Sequence, residues 1–359
     1  MLGNWHKKEK PVFTGVTRGL GGFGFGGGGG GGSADVGVFS ASGGQKFTVG
    51  SDTYHIFMNP EGISQTFTVS SGTSDCECLI VGGGGASRAD NGGAGGGGGV
   101  VYAPALSFAA GSYVIAVGYG GTYNSARNNN VPTWGGHSKI THPVGTIIAY
   151  GGQGAQNASE SGSNYPILTP WTGPDGTTKF GSGAGGARTN PSSNVSNTSP
   201  INDGQPSAPN FSGAVTNYGN TGGNYGPPIW NGSGGGGAGG PGYPGPSPSP
   251  IRYQGGAGAP FANFPGPGLY PNLPSPASSY LGTGWRDALT GTGLFAGGGG
   301  GTVESPASFY AGGPGGGSPG SNTGNNGVNG TGGGMGSNNQ TAGTFQGGDG
   351  IVIIKYATP

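Results

Sequence analysis

GGDGIVIIKY, residues 347–356, leads from a glycine-rich start into an unbroken apolar run at 351–354. Such a run is typical of a strand that is buried on both faces, whereas a strand with one solvated face alternates apolar and polar residues. CECLIV, residues 76–81, has a similar composition near the start of the chain. We therefore predict that residues 351–356 form an interior strand beside an early strand such as residues 78–81.

Short segments rich in Val, Ile, Phe, Thr and Tyr lie before residue 150, separated by Gly, Asn-Pro and Ser turn residues. They are VGVFS, QKFTVG, TYHIFM, SQTFTVS, CECLIV, SYVIAVGYGG, HSKI and VGTIIAY. In SQTFTVS, Phe67 and Val69 alternate with hydroxyl residues, as in a half-buried antiparallel strand. One segment, GWRDALTG near 285–289, favours a helical turn. The sequence predicts a mainly β protein with an antiparallel β-sheet, irregular structure and almost no α-helix.

Glycine supplies 93 of the 359 residues and proline 29. Long glycine runs, such as those at 232–240 and 296–301, lie between the early strands and the C-terminal strand. Ordering a backbone costs about 1–2 kcal/mol per residue, and most for glycine, so isolated glycine segments are unstable. Three-residue-per-turn helices packed side by side can bond each N–H and C=O to a neighbour, at about 1 kcal/mol net per bond. We expect a bundle of polyproline/polyglycine-II-like helices.

Four regions follow from this organisation. Residues 1–32 are an N-terminal arm that begins with basic residues and ends in a run of seven glycines. We interpret the arm as a docking segment for another protein, and a flexible terminus is the alternative. Residues 33–150 are a β-strand domain, residues 151–346 are a glycine-rich excursion with exposed loops, and residues 347–359 are the C-terminal strand that returns to the β domain.

Charge and hydropathy exclude several classes of function. With 13 basic and 13 acidic residues the formal net charge is zero, and no basic stripe for nucleic acid is present. No apolar run approaches the roughly 18 residues of a membrane span, so membrane insertion is not expected. The N-terminal lysines are not followed by an apolar stretch, so we expect synthesis in the cytoplasm without a signal peptide.

Catalytic, metal and cofactor sites are not predicted. The acids are too scattered for a glycosidase pair about 5–9 Å apart, and no helix follows the G-x-G-x-x-G matches to bind phosphate. Cys76 and Cys78 point to the same face of a strand, and we interpret them as small hydrophobic residues. The histidines match no motif, and we expect a protein that is not an enzyme. They are His6, His55, His137 and His142.

Aromatic residues in the glycine-rich part are the best candidates for binding. On a rigid scaffold, Trp and Tyr supply contact area at low entropic cost and can stack on sugar rings. The alternative is that they cover the sides of glycine helices, which have no Leu or Ile to do so. We expect receptor contact in loops of the region 120–290. The candidates are Trp134, Trp171, Trp230, Trp285, Tyr225 and Tyr243.

Several stretches occur in the order known from one family. They are YHIFMNPEG with TFTV, CECLIVGGGGA, GGGGGVVY, SYVIAVGYGG, GGHSKI with IIAYGGQGA, and the ending GGDGIVIIKY. Over residues 53–356 this order resembles the glycine-rich domain of phage tail fibres and related virion structural proteins. The expected glycine-helix packing also resembles the tip adhesins of certain T-even-type phages. The proline-rich stretch 241–276 departs from the pattern, and residues 1–32 lie outside it.

The resemblance implies a virion protein of the tail or fibre, made in the host cytoplasm, that attaches to a bacterial surface receptor. A glycan is the favoured receptor. It further implies a homo-oligomer, with a trimer favoured. Residues 1–32, outside the resemblance, are expected to anchor the protein to other virion proteins. The alternative is a purely structural virion fibre or decoration component without receptor binding.

Overall fold

The chain divides into two units after Asp35. The computed structural model describes residues 37–58, 64–88, 92–124, 133–143, 145–155, 180–186, 215–224, 231–245, 252–261, 264, 284–289, 293–303, 308–338 and 343–359. All of these residues belong to the unit Val36–Pro359, and Met1–Asp35 is assigned to a separate unit. The predicted arm, residues 1–32, lies outside the described residues.

Antiparallel strands dominate the described residues, and helix is confined there to residues 284–288. Both the mainly β prediction and the helical turn predicted near 285–289 are confirmed. The strands are β1 (Ser40–Ser42), β2 (Gln45–Val49), β3 (Asp52–Phe57), β4 (Gln65–Val81), β5 (Val100–Ala116), β6 (Thr122–Asn124), β7 (Ser138–His142), β8 (Gly145–Ala149), β9 (Thr216–Tyr218), β10 (Asn231–Gly232), β11 (Ala259–Pro260), β12 (Leu294–Phe295), β13 (Thr302–Val303), β14 (Ser308–Phe309), β15 (Thr344–Gln346) and β16 (Ile351–Ala357).

The largest sheet has the strand order β2-β3-β16-β4-β5-β7-β8, with β1 added to β4 and β9 added to β5. All of its pairs are antiparallel. The C-terminal strand β16 lies between β3 and β4, with Ile351 opposite Val81 and Ile354 opposite Cys78. The predicted return of the chain end to an early strand is confirmed.

Burial on both faces explains why the apolar run lies in the middle of the sheet. Val352 and Ile354 belong to a first core, whereas Ile351 and Ile353 belong to a second core. All four side chains are completely buried. A strand that alternated apolar and polar residues could not fill both cores, so the unbroken run selects the central position.

Strands β4 and β5 fold over and enclose the first core. The bend is at Gly72, whose φ of +74° and close approach to the backbone of Phe39 both require glycine. The pairing of β4 with β5 shifts its register beside this bend. Phe67 lies in β4 before the bend, and its ring lies edge-on to the His55 ring of β3, with 5.0 Å between centroids. The folded sheet thereby places aromatic side chains from distant parts of its strands in one core.

The second core joins the sheet to the glycine-rich layer. Apolar side chains of β3, β4, β5 and β16 meet residues from much later in the chain. The phenol ring of Tyr102 lies 5.5 Å from the Phe261 ring and 5.8 Å from the Phe264 ring, measured between centroids. The later residues of this core include Phe261, Phe264, Trp285, Leu289 and Phe295.

Residues 94–99 show how the glycine segments pack. Their backbone N–H groups donate in rotation to three neighbouring segments, with N···O distances of 2.7–3.1 Å. A period of three residues is that of a polyproline II helix. The acceptors, in chain order, are the carbonyls of Ser233, Met335, Gln153, Gly236, Gly332 and Tyr150. The carbonyls of 94–99 accept from three further segments, at 82–85, 182–185 and Gly299. The predicted polyglycine-II-like bundle is confirmed.

Close packing of these helices requires glycine itself at inner positions. A methyl group on Gly95 would overlap the carbonyl of Gly85, and one on Gly98 would overlap the carbonyl of Gly82. The backbones of neighbouring helices can bond directly because no side chain separates them.

Glycine helices and strands alternate along the chain, so the predicted regions are not separate in space. Segments 82–88, 92–99, 117–121 and 133–137 belong to the bundle although they lie within the predicted β domain, 33–150. In the stretch SYVIAVGYGG, for example, strand β5 ends at Ala116 and the following residues belong to the bundle. The physical reason is that several apolar strands continue past the sheet edge as glycine segments, whose bonding partners come from the region 151–346.

Candidate functional site

The bundle grows from one edge of the main sheet. Strands β4 and β8 end at this edge, and β5 and β16 begin there. Gly82 N donates to Gly99 O at 2.9 Å, and Gly99 N donates to Tyr150 O at 2.7 Å. Gly350 N, directly before β16, donates to Gly118 O at 2.8 Å. These bonds fix the near end of the bundle against the sheet.

The opposite end of the bundle is called the distal end. Segment 82–88 runs towards it and segment 92–99 returns, and the two meet there through the bond from Arg88 N to Gly93 O. Buried hydroxyls stabilise the same end: Ser337 Oγ donates to Gly92 O at 2.6 Å and lies 2.7 Å from Thr302 Oγ1. The distal end is defined by Arg88, Gly92, Asn231, Thr302 and Ser337.

Short stretches of sequence connect residues that are fixed at the distal end. Val303 pairs with both Asn231 and Ser308, so these three residues lie side by side at this end. The connecting stretches lie outside the described residues, and their sequences are bounded by bonded residues on both sides. They include 89–91, 225–230 and 304–307. Such connections can vary in sequence without disturbing the bundle.

The chain enters the unit far from the distal end. Ser71 Oγ, at the bend of β4, donates to Val38 O at 2.8 Å, and Val38 itself is 70% exposed. The positions from Thr73 to Val81 separate this bend from the bundle, on the order of 25 Å at ~3.3 Å per residue. Val38 and the distal end therefore lie at opposite ends of the described part of the unit Val36–Pro359.

Three of the six aromatic candidates lie among the described residues, and one of these is a packing residue. Trp285 is 1% exposed, belongs to the second core and donates its indole N–H to Gly330 O at 2.7 Å. A buried indole cannot contact a receptor in this conformation, so Trp285 covers the glycine helices, which is the alternative given for these aromatics. Trp171, Trp230 and Tyr225 lie outside the described residues.

Trp134 and Tyr243 are both half-buried on the bundle. The Trp134 ring lies edge-on to the Phe180 ring, with 5.4 Å between centroids and an interplanar angle of 80°. Tyr243 is held through its backbone, since its N–H donates to Gln254 O at 3.0 Å. Segments 150–153 and 180–186 lie between the helices that carry the two residues, so the structure does not bring them together.

Tyr119 is an exposed aromatic that the sequence analysis did not select. Its side chain is 55% exposed, and it follows strand β5 on the glycine segment 117–121. The stretch SYVIAVGYGG was assigned to the β pattern as a whole, so its tyrosine was not considered for binding. The glycines on both sides of Tyr119 are the feature that could have identified it.

The family model of the glycine-rich domain matches residues 59–357. The chain belongs to the glycine-rich domain family. The match covers the main sheet from β4 onwards together with the bundle, so the predicted resemblance is confirmed at the level of the glycine-rich domain. No curated protein matches the chain.

The histidine of β3, which lies just before the matched residues, is buried, and both of its ring nitrogens have hydrogen-bond partners. Because a carbonyl only accepts, His55 Nδ1 donates to Gly43 O at 2.7 Å, and Nε2 accepts from the Tyr356 hydroxyl at 3.1 Å. Burial lowers the pKa of His55 to about 4, although the bond to Gly43 acts in the opposite direction. The ring is neutral at physiological pH and serves the first core.

The two cysteines of the glycine-rich domain are free and lie in the first core. Burial raises the pKa of the Cys76 thiol to about 12 and raises the pKa of Cys78 well above its ordinary value. Both thiols stay protonated at neutral pH, which confirms their interpretation as small hydrophobic residues.

Other chemistry is sparse in the described ranges. They contain no group of three or more His, Cys, Asp or Glu side chains arranged for a metal ion. Lys355 Nζ is paired with Glu77 Oε1 at 2.8 Å, and Tyr102 donates to the second oxygen of Glu77 at 2.9 Å. The one helical turn among these residues is too short to cross a membrane.

Proposed function

We propose that this glycine-rich protein is a non-enzymatic adhesin of a bacteriophage virion, of the tail-fibre type, that contacts a bacterial surface receptor. The observation that supports the proposal is the arrangement of the two ends of the described unit. The chain enters at the bend of β4, whereas short connecting stretches begin and end at the distal end of the bundle. An attachment protein needs a support at one end and a variable surface at the other.

The bonding of the bundle suits this role. Inner helices such as 94–99 are bonded to neighbours on all sides through their backbones, so the distal residues are held rigidly. Rigid presentation of loops lowers the entropic cost of binding. Since the bonding uses backbone groups, the connecting stretches are free to carry receptor-specific side chains. A glycan is the favoured receptor because aromatic candidates such as Trp230 lie in these stretches.

Residues 1–32 are the proposed anchor to other virion proteins, and a homotrimer is the proposed assembly. Synthesis in the host cytoplasm, followed by incorporation into the virion, completes this proposal. Deletion of 1–32 should prevent incorporation into particles without changing the melting temperature of the remaining protein. Particles that contain the deleted form in normal amount would contradict the anchoring role.

The main test replaces 225–230, which contains Tyr225 and Trp230, with a glycine-serine linker of equal length. Adsorption of purified protein to a panel of bacterial strains should fall at least about tenfold, as for other binding hot spots, while the melting temperature stays the same. Val114→Ala, at a 42% exposed position on the sheet, is the control and should adsorb like the wild type. If the wild type adsorbs to no strain but electron microscopy locates it in particles, the structural alternative is correct.

A further inference from the structure

Three neighbouring segments pack side by side in the bundle: 117–121 and 133–137, which carry exposed or half-buried residues, and 150–155, whose residues are all buried. Gly136 N donates to Tyr119 O at 2.7 Å, and Gly135 N donates to Gly152 O at 2.9 Å, so the three backbones lie side by side. Gly83 N, from an inner helix, donates to Gly136 O at 2.9 Å and supports the middle segment from beneath. The outer surface of segments 117–121 and 133–137 is called the lateral surface.

Two aromatic side chains, Tyr119 and Trp134, lie on the lateral surface. Tyr119 is 55% exposed, and a methyl group on Gly136 would lie only 3.2 Å from the Tyr119 ring, so the ring rests against the glycine backbone. Trp134 lies two residues before Gly136, about 6 Å along a helix that rises ~3.1 Å per residue. Its ring is fixed edge-on against Phe180. The two rings are therefore held in place without being fully buried.

Backbone donors accompany both rings. In the described part of the chain, neither the Tyr119 N–H nor the Trp134 N–H has a hydrogen-bond partner, although the neighbouring N–H groups of Gly120, Gly121, Gly135 and Gly136 all have one. Tyr119 N lies against the neighbouring helix, because a methyl group on Gly136 would be only 2.9 Å from it, so the ring is the part of Tyr119 that a ligand can reach. A half-exposed aromatic ring is suited to a ligand that combines an apolar face with polar edges. Sugar rings have this combination.

The lateral surface is also uncharged. The stretches VGYGGTY, TWGGHS and YGGQGA, which begin at residues 117, 133 and 150, contain no Asp, Glu, Lys or Arg. His137 stands beside Trp134 and accepts from Gly151 N at 3.0 Å, and burial, together with the charge of Lys139, lowers its pKa to about 4. Lys139 alone would give an anionic polymer such as nucleic acid little counter-charge here. A neutral ligand is favoured.

We propose that the lateral surface around Tyr119 and Trp134 is a binding site for a neutral glycan, whose sugar faces stack on the two rings. The site rests on the proposed adhesin function and adds to it a second contact, on the side of the bundle, with a stated receptor chemistry. A glycan chain bound both here and at the distal end would be held by two linked contacts, which raises avidity without new chemistry.

The test measures binding of the full-length protein to a printed array of neutral bacterial oligosaccharides. The wild type should bind at least one of them, and Tyr119→Ala should weaken that binding by about tenfold or more, as truncation of a binding aromatic does. Tyr119→Phe should bind nearly as well as the wild type, because the aromatic ring remains. Trp134→Phe, chosen to keep a ring against Phe180, should weaken binding by a smaller factor.

Phe309→Ala is the matched control, since Phe309 is a 42% exposed aromatic outside the lateral surface. It should bind the array like the wild type, and the melting temperatures of all variants should agree. Binding to no neutral glycan, or equal binding by Tyr119→Ala and the wild type, overturns the proposal. A change of oligomeric state in Tyr119→Ala, seen by sedimentation, also overturns it, because the surface would then be a subunit interface.

The outcomes for the two proposals are separable. If the 225–230 replacement loses cell adsorption while Tyr119→Ala binds glycans normally, the adhesin function stands and the lateral site is wrong. If the wild type binds neutral glycans through Tyr119 but adsorbs to no cells, the lateral site stands and the adhesin function is wrong.

Discussion

The sheet and the polyglycine bundle are stabilised by different parts of the same kind of chain. In the sheet, side chains carry the stability: residues 351–354 fill two cores, and their apolar groups exclude water on both faces. In the bundle, backbone groups carry it: residues 94–99 bond to six surrounding segments, and inner positions such as Gly95 have no room for a side chain. The sheet therefore restricts which side chains can occupy a position, whereas the inner positions of the bundle leave room for no side chain at all.

Deletion of residues 351–359 is the most severe test of the side-chain part. The deletion removes the strand between β3 and β4 and exposes both cores, so we expect no soluble folded protein. Soluble yield and near-ultraviolet circular dichroism measure the outcome. If the shortened protein melts at the same temperature as the full chain, β16 is not needed for folding. The claim that its side chains stabilise the sheet is then wrong.

Gly95→Ala tests the backbone part with a single methyl group. The added group would overlap the Gly85 carbonyl, and the rigid neighbours on all sides leave no direction for relaxation. We expect a loss of more than about 4 kcal/mol in the free energy of unfolding, or failure to fold.

Gly240→Ala is the matched control within the same bundle. A methyl group there lies 3.5 Å from Ala257 N, an ordinary contact, so the change in unfolding free energy should stay below about 1 kcal/mol. Urea denaturation compares the two variants. Equal stabilities for Gly95→Ala and Gly240→Ala would show that close backbone approach does not determine which glycines the bundle requires.

The comparison also explains what the sequence could predict. The run at 351–354 has one physical solution, an interior strand, because it has no polar face, and its partner near Cys78 could be chosen by composition. The period of three in the bundle follows equally from the needs of glycine backbones. The sequence does not predict which glycine segments pack against each other, because all glycine runs have the same chemistry. Nothing in GGGG at 82–85 specifies segment 96–99 as a partner.

The site was harder to predict because burial decides it. Trp134 and Trp285 both stand beside glycine in the sequence, yet Trp285 is enclosed by the second core and Trp134 is half-buried on the bundle. Tyr119 was missed because the apolar strand before it continues without a break into its glycine segment. Exposure in this protein depends on whether a helix is inner or outer, and a local sequence pattern does not contain that information.

Acid should weaken the sheet through His55. The folded-state pKa is about 4 and the ordinary value is 6.5, so the unfolded chain binds the proton first as the pH falls. Stability from the neutral ring is fully present above pH 6.5 and is lost between pH 6.5 and pH 4, by about 3 kcal/mol for this group. Asp349 acts in the opposite direction, because burial raises its pKa.

Melting at pH 7 and pH 4.5 measures this effect, with His55→Gln as the comparison. The variant should be less stable at pH 7, because it loses the ring contacts with Phe67 and Tyr356, but its stability should fall less between the two pH values. Part of the dependence should remain, since burial also lowers the pKa of His137 to about 4. If His55→Gln shows the same pH dependence as the wild type, protonation of His55 does not cause the loss of stability in acid.

The smallest expected effect lies at the edge of the bundle, where side chains take over the role of backbone carbonyls. Asn326 Oδ1 accepts from Gln346 N at 3.0 Å, and Asn329 Oδ1 accepts from Asp349 N at 3.2 Å, three residues further along both segments. The repeat of three matches that of the glycine helices, so the amide oxygens occupy positions that a neighbouring helix would fill in the interior. Asn326→Ala should cost about 1 kcal/mol, or about 2 °C in melting temperature, because the freed N–H is near solvent. Asn326→Asp keeps an acceptor oxygen and should cost clearly less than the alanine variant. If the two variants melt at the same temperature, the acceptor oxygen of Asn326 does not contribute to stability. The hydrogen-bond pattern of the bundle then ends at its last glycine helix and does not continue through these asparagines.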